Sequence, residues 1–216
     1  MCEPTQENAE KILDALEEEH PDARIYLEYD GALDLLIRTI LAAQCTDEKV
    51  NEVAPKLWEA YPTPEEVAEA DLEDLEEIVH STGFYHRKAK SVKNCCKALV
   101  EKYDGELPEN VDDLSALPGV GRKTANVVLA NAMGRQAIPV DTHVKRVSRR
   151  IGLATYKSPD AIEKELMEII PEDRWTRSTQ LMGTHGRRIC TSRNPDCPNC
   201  PVSRWCDYYA EEYKAQ

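Results

Sequence analysis

The sequence predicts an all-α fold of about ten short helices. Three observations support this prediction: apolar side chains recur at helical spacing in nearly every segment, no segment alternates with a period of two, and helix-capping residues precede several apolar runs. Most glycines, at positions 31, 83, 105, 134 and 152, lie between these segments, where they would separate one helix from the next.

Three amphipathic segments occupy the N-terminal part of the chain. They are "NAEKILDALEEEH", "GALDLLIRTILAAQ" and "DEKVNEVAPKLWEAY". Their aligned apolar residues are Ile12, Leu13 and Leu16 in the first, Leu33, Leu36, Ile37, Ile40 and Leu41 in the second, and Val50, Val53, Ala54 and Leu57 in the third. Each set recurs at three- and four-residue intervals, so each predicts a helix with one buried face.

Start signals predict further helices. Thr63 is a preferred N-cap residue, Pro64 suits the first helical position, and Glu66 completes a capping box. Ser158, followed by proline, repeats this start. Between them, "VDDLSALPGVGRKTANVVLANAMG" predicts a helix, a tight turn and a second helix over residues 124–133.

The charge of the chain is unevenly distributed. A formal net charge of −13 argues at first against a nucleic-acid partner. However, residues 84–150 carry 13 basic and 7 acidic side chains, whereas residues 1–83 carry 5 and 23. Because a protein's field acts locally, the middle of the chain can still bind an anion. Neither a membrane-spanning apolar run nor a signal peptide is present, so we expect a soluble cytoplasmic protein without a membrane partner.

The turn in "LPGVGRKTANVVL" is a candidate phosphate-binding site. Glycines at alternate positions let the backbone approach a ligand at the N-terminus of the second helix. A P-loop is excluded because Arg122 separates Gly121 from Lys123. We therefore predict a helix-hairpin-helix that binds the DNA backbone, with a plain helical turn and a solvated Arg-Lys pair as the alternative. The predicted DNA contacts are Pro118, Gly119, Val120, Gly121 and Arg122.

Lys123 is a candidate nucleophile. The start of a helix, the adjacent Arg122 and the positive segment each favour a neutral amine over an ammonium ion. A neutral amine is nucleophilic and needs a partner that stabilises charge or moves protons. Asp141 is the candidate partner, between the strand-like "AIPV" and a basic helix. The alternative roles are a phosphate contact for Lys123 and a helix N-cap for Asp141.

The C-terminal part of the chain contains four closely spaced cysteines. They are Cys190, Cys197, Cys200 and Cys206, in the pattern C-x6-C-x2-C-x5-C. Four thiolates in one short loop could bind Zn²⁺ or hold an iron–sulfur cluster, and four unmetallated cysteines are the remaining alternative. The other cysteines are expected to be buried or inert thiols: Cys2, Cys45, Cys95 and Cys96.

The motifs "LPGVGRKTANVVL" and "VDTHVKRV" resemble those of the endonuclease III family of DNA glycosylases, and with the cysteine loop the resemblance spans roughly residues 30–206. It implies two helical domains: a six-helix barrel with the helix-hairpin-helix at 25–134, and a cluster domain formed by 1–24 and 135–216. It also implies that Lys123 attacks the sugar, that Asp141 assists, and that the four cysteines hold a [4Fe-4S] cluster.

The resemblance also implies residues that probe the DNA. Gln44 in "LAAQCTD" resembles the family's gap-filling glutamine, and Phe84 in "HSTGFYHRKAK" resembles its intercalating wedge, which is commonly leucine. Without the family, Gln44 would be a polar residue at a helix end and Phe84 a core aromatic. Four further residues could contact DNA or lie on solvated surfaces: His143, Arg146, Arg193 and Arg204.

The implied activity is base excision repair. The enzyme would be a bifunctional DNA N-glycosylase that removes oxidised pyrimidines and cleaves the abasic strand by β-elimination through a lysine Schiff base. Its partner would be double-stranded DNA with damaged bases or abasic sites, bound by a nucleoid-associated monomer. Two alternatives stay open: an adenine- or mismatch-specific glycosylase of the same superfamily, and a non-catalytic helix-hairpin-helix DNA-binding module.

Overall fold

The computed structural model describes residues 4–213, except the side chain at position 212, and the regular secondary structure in this part of the chain is helical. It contains eleven α-helices and no strand. They are α1 (Gln6–Glu19), α2 (Gly31–Leu41), α3 (Asp47–Ala60), α4 (Pro64–Glu69), α5 (Leu72–Val79), α6 (Tyr85–Tyr103), α7 (Val111–Ser115), α8 (Arg122–Ala132), α9 (Thr142–Ile151), α10 (Pro159–Ile169) and α11 (Trp175–Arg188). The all-α prediction is confirmed, whereas Cys2 lies outside the described residues.

The predicted apolar faces and caps are present. The apolar residues named for α1 and α3 are all buried. Thr63 accepts the Glu66 N–H at 3.2 Å while the Glu66 carboxylate accepts the Thr63 N–H at 3.1 Å, which completes the capping box. Ser158 accepts the Ala161 N–H at the start of α10. These local signals therefore set the helix boundaries as the sequence predicts.

Three local expectations were wrong. First, α8 begins at Arg122 and not at residue 124, so Lys123 lies inside its first turn. Second, "AIPV" forms no strand; Ala137, Ile138 and Val140 are buried by their packing in an irregular segment. Third, α6 spans 19 residues and is not a short helix. Helix α2 is also buried on nearly all sides, including an ion pair between Asp34 and Arg38 at 2.8 Å.

The chain divides into two compact units, one formed by Tyr26–Arg135 and the other by the chain up to Ile25 together with the chain from Gln136 onward. In the first, α2 packs on α3, α6 and α8, while α4 and α5 cover α6 and α7 packs on α8. In the second, α11 packs on α1 and α9, and α1 also contacts α10. No helix within residues 4–213 is long and apolar enough to cross a membrane.

Candidate active site

The turn between α7 and α8 leaves backbone N–H groups at the start of α8 without side-chain caps. The Leu117 N–H bonds Leu114 O and the Val120 N–H bonds Leu117 O, both at 3.1 Å, which closes the turn. Gly119 has φ +79°, a conformation that L side chains rarely adopt. Gly121 is the N-cap of α8 and offers no side-chain acceptor to the first N–H groups of the helix. An uncapped helix N-terminus is therefore available to an anion.

Lys123 lies on this first turn and is exposed. Arg122, which precedes it, is exposed, whereas the helix is buried from Ala125 to Ala130. The amine therefore stands at the edge of a buried helix, where it can reach a ligand on the hairpin surface.

Asp141 is the N-cap of α9. Its Oδ1 atom accepts the N–H groups of His143 at 2.8 Å and Val144 at 2.7 Å. The N-cap role proposed as an alternative is therefore present. Both bonds end on Oδ1, so the cap does not occupy Oδ2. The same carboxylate can therefore cap the helix through Oδ1 and take part in chemistry through Oδ2.

Two predicted DNA contacts on α9 have different surroundings. Arg146 donates to the carbonyls of Cys190 at 3.0 Å and Gly186 at 2.8 Å, so its predicted alternative as a solvated helix face is wrong. The same guanidinium approaches His143 Nδ1 at 3.1 Å. Burial lowers the pKa of His143, and the carboxylate of Asp141 opposes this shift. His143 therefore lies half-buried between Asp141 and Arg146.

Gln44 and Phe84 share an unusual backbone conformation. Only three non-glycine residues in the described part of the chain have positive φ, and these two are among them, at +54° and +49°. Phe84 is 64% exposed, so the core-aromatic alternative is wrong. Gln44 is also exposed, three residues beyond the end of α2. Left-handed non-glycine residues cost about 1–3 kcal/mol each and often mark functional sites.

The four clustered cysteines line one pocket. Cys190, Cys197 and Cys206 are buried and Cys200 is half-buried. Burial raises the pKa of Cys200 to about 12 and that of Cys206 to about 11, so without a metal these two groups are thiols at neutral pH. Within residues 4–213, no three His, Cys, Asp or Glu side chains are grouped as ligands of a single metal ion.

Polar groups that the sequence did not reveal surround this pocket. Arg150 donates to the carbonyls of Thr191 at 2.7 Å and Ser192 at 3.1 Å, and its Nη1 lies 3.5 Å from Cys190 Sγ. His185 Nε2 lies 3.5 Å from Cys200 Sγ, while its Nδ1 hydrogen-bonds His20 Nε2 at 3.1 Å. The only sequence signal for these contacts is the position of His185 just before the cysteine loop.

Arg193 and Arg204 behave differently in the cysteine loop. Arg193 is exposed and can face a ligand. Arg204 stacks on the ring of Trp205, with its guanidinium carbon 3.7 Å from the ring centroid. Outside the loop, Cys95 and Cys96 are buried as expected, and burial raises the pKa of Cys95 to about 12.

Comparison with known proteins identifies the class. A profile described as "HhH-GPD superfamily base excision DNA repair protein" matches residues 37–172. Endonuclease III of Synechocystis sp. is 45% identical over 93% of this chain and 92% of its own length; that of Rickettsia felis is 41% identical over 92% and 93%. The structure of a trapped endonuclease III–DNA covalent intermediate, an estranged-adenine complex, aligns with a TM-score of 0.92 at 41% identity, covering 97% of this chain and 99% of that one.

The chain therefore belongs to the HhH-GPD superfamily of base excision DNA repair proteins. Its extensive similarity to proteins named endonuclease III confirms the resemblance found in its motifs. It is a base excision repair enzyme, a DNA glycosylase with abasic-site lyase activity.

Proposed function

We propose that the protein removes oxidised pyrimidines from double-stranded DNA and cleaves the resulting abasic strand, with Lys123 as nucleophile. The observation that carries this proposal is the placement of Lys123: an exposed amine on the first turn of a helix whose N-terminus has no side-chain cap. The hairpin would bind a DNA phosphate through backbone N–H groups and Arg122, which brings the sugar beside the amine.

The chemistry has two stages, release of the base and cleavage of the strand. The neutral Lys123 amine attacks C1′ of the damaged nucleotide, the N-glycosidic bond breaks, and the base leaves with a proton. The C1′–O4′ bond of the sugar ring then breaks while O4′ takes up a proton from solvent, which leaves Lys123 joined to the open sugar as a C1′=N iminium ion. This ion makes the C2′ proton acidic, so a base removes it, the C3′–O bond breaks and the 3′ phosphate leaves. Water then hydrolyses the iminium and returns Lys123 as the amine.

Asp141 would support the attack of Lys123 and the departure of the base. A carboxylate near the sugar stabilises positive charge that develops at C1′ and can accept the proton that the attacking amine loses. The cap bonds of Asp141 to α9 fix its Oδ1 atom and therefore orient Oδ2. The N-cap bonds of α9 would therefore position the catalytic carboxylate of Asp141.

Phe84 and Gln44 would enter the base stack when the damaged nucleotide leaves it. Extruding a base costs stacking energy, which an inserted side chain offsets in part. The exposure of Phe84 and the left-handed backbone of both residues support these roles. We further propose DNA contacts for His143 and Arg193 at the surface that surrounds the lesion.

The four cysteines fit a [4Fe-4S] cluster better than a single ion. A tetrahedral Zn²⁺ at about 2.3 Å from each sulfur would need sulfurs about 3.8 Å apart. The thiols instead line one shared pocket, and no three His, Cys, Asp or Glu side chains of the described residues are grouped as ligands of a single ion. We propose that Cys190, Cys197, Cys200 and Cys206 hold the cluster, which when bound would tie the C-terminal loop together through iron–sulfur bonds.

We propose that the chain forms the two domains that the resemblance implied. One is a six-helix barrel at 25–134, and the other is a cluster domain formed by 1–24 and 135–216. The division into compact units after Arg135 supports this assignment. A DNA repair glycosylase works where the chromosome lies, so we place the protein in the cytoplasm at the nucleoid, as a monomer.

Borohydride trapping tests the proposed chemistry. Reduction of the protein on abasic duplex DNA should yield a covalent complex, because borohydride reduces an iminium ion to a stable amine. Lys123→Gln should abolish the complex, and Lys97→Gln, which removes an exposed lysine from α6, should leave it intact. A wild-type protein that cannot be trapped would instead favour the non-catalytic DNA-binding module.

Lesion specificity needs a separate assay. Base release should be measured on matched duplexes with one oxidised pyrimidine, one adenine mismatch or one thymine mismatch. We expect release of the oxidised pyrimidine alone, and preferential release of adenine or thymine would support the alternative glycosylase.

A further inference from the structure

Lys88 is a buried lysine that the proposed chemistry does not use. It lies in the first turn of α6 and is only 4% exposed. No acidic residue lies in that turn. An ammonium ion is disfavoured there both by burial and by the positive end of the helix dipole. Burial lowers the pKa of Lys88, and the sulfur of Cys45 opposes this shift. The reason for a lysine at this position must therefore lie in the contacts of its amine.

The Lys88 amine secures the segment that leads into Phe84. Its Nζ donates to the carbonyl of Thr82 at 2.7 Å. Thr82 is buried, and its hydroxyl donates to Val79 O at 2.8 Å, so residue 82 is fixed from two sides. The next two residues, Gly83 and Phe84, both have positive φ, at +72° and +49°. The amine thus holds the chain directly before Gly83 and Phe84, the two residues with positive φ.

The same amine also lies near the turn that carries Gln44. Cys45 follows Gln44 directly and interacts electrostatically with Lys88. Helix α3, which begins two residues further on, packs against the 3₁₀ turn His80–Thr82. One buried amine therefore lies near both the turn that carries Gln44 and the segment that leads into Phe84.

We propose that Lys88 is a positioning residue that holds Phe84, and with it the Gln44 turn, in the conformation that enters the base stack. This inference rests on the insertion roles proposed above for these two residues. Without the amine, the buried Thr82 carbonyl loses its partner, and the chain at Gly83 and Phe84 can relax toward negative φ. The wedge would then turn away while the rest of the helical unit stays folded.

The test reads insertion directly and without catalysis. A duplex with a tetrahydrofuran abasic analogue opposite 2-aminopurine cannot form a Schiff base, and its fluorescence rises when the opposite base is displaced from the stack. At saturating protein the amplitude of this rise does not depend on affinity. We expect Lys88→Met to reduce the amplitude to less than half that of the wild-type protein.

Lys93→Met is the matched control. Lys93 lies on the same helix, and its Nζ also donates a part-buried hydrogen bond to a backbone carbonyl, that of Ala70, at 2.5 Å. Its amine bonds Ala70 and not the segment that leads into Phe84, so the amplitude of Lys93→Met should equal that of the wild type. Equal amplitudes for Lys88→Met and wild type, or equal losses for Lys88→Met and Lys93→Met, would overturn the proposal.

A second variant covers the case in which Lys88→Met does not fold. Lys88→Gln is one bond shorter than lysine, so its N–H donor holds the Thr82 carbonyl less closely. It should retain helical circular dichroism and give an amplitude between those of methionine and lysine. A Lys88→Gln amplitude equal to wild type would overturn the proposal if Lys88→Met cannot be measured. If the wild type itself gives no rise, the insertion roles and this inference fall together, whereas the borohydride test of Lys123 is unaffected.

Discussion

Of the two glycines in the turn between α7 and α8, Gly119 has less room for a side chain. A Cβ atom at this position would lie 2.7 Å from Ser91 Cβ, and the backbone has φ +79°. Left-handed geometry costs alanine about 1–2 kcal/mol. Overpacking against Ser91 adds about 1–3 kcal/mol. We therefore expect Gly119→Ala to lower the free energy of unfolding by about 2–5 kcal/mol.

Thermal unfolding followed by circular dichroism measures this effect. For a chain of this length each kcal/mol corresponds to about 2–4 °C, so the midpoint should fall by at least about 4 °C. Ser91→Gly removes the clashing side chain but leaves the backbone strain. In that background Gly119→Ala should therefore cost only the left-handed term. A midpoint for Gly119→Ala within about 2 °C of wild type would show that the left-handed backbone and the Ser91 contact do not destabilise alanine at this position.

Gly121→Ala is the comparison within the same turn. Gly121 has φ −100°, and a Cβ there would meet nothing within 4 Å. Its loss should change stability by less than about 1 kcal/mol. However, the methyl group would project beside the uncapped N–H groups of α8, so affinity for duplex DNA should fall. Equal destabilisation by the two substitutions would show that backbone geometry does not distinguish the two glycines.

Three further predictions concern other parts of the site. Asp141→Asn should keep the cap of α9 and the melting temperature but lose most lyase activity, whereas Asp141→Ala should also lose about 1 kcal/mol of stability; equal activity of wild type and Asp141→Asn in a single-turnover assay would contradict the catalytic role. Phe84→Ala should change stability by less than about 0.5 kcal/mol because the ring is exposed, yet reduce the 2-aminopurine rise; an unchanged rise would exclude a wedge role. Cys206→Ser should lose bound iron and lower the melting temperature, and iron content equal to wild type would contradict the cluster assignment.

Much of the helical framework could be predicted from the sequence because it depends on local patterns. The apolar face of α1, with Ile12, Leu13 and Leu16, is buried, as its spacing predicted. The capping box of Thr63 and Glu66 is formed by neighbouring residues and so needs no tertiary information. The start of α8 was placed two residues late, because glycine at the N-cap gives no side-chain signal for the first turn.

The surroundings of the candidate site could not be predicted in this way. The sequence left a solvated surface open for Arg146, yet it bonds the carbonyl of Cys190, 44 positions away. Arg150 on the same helix bonds the carbonyl of Thr191, 41 positions away. The hydrogen bond between His20 and His185 spans 165 positions. Lys88, likewise, lies in a basic stretch whose composition suggests solvent exposure, and only tertiary packing buries it. Local patterns carry no information on such distant pairings.

In the proposed mechanism, Lys123 forms the covalent bond to DNA. The most direct measurement is peptide mapping by mass spectrometry of the borohydride-reduced complex after digestion of both protein and DNA. We expect a sugar-derived mass addition on Lys123 and on no other lysine. An adduct on the protein's α-amino group or on another lysine, with Lys123 unmodified, would contradict it.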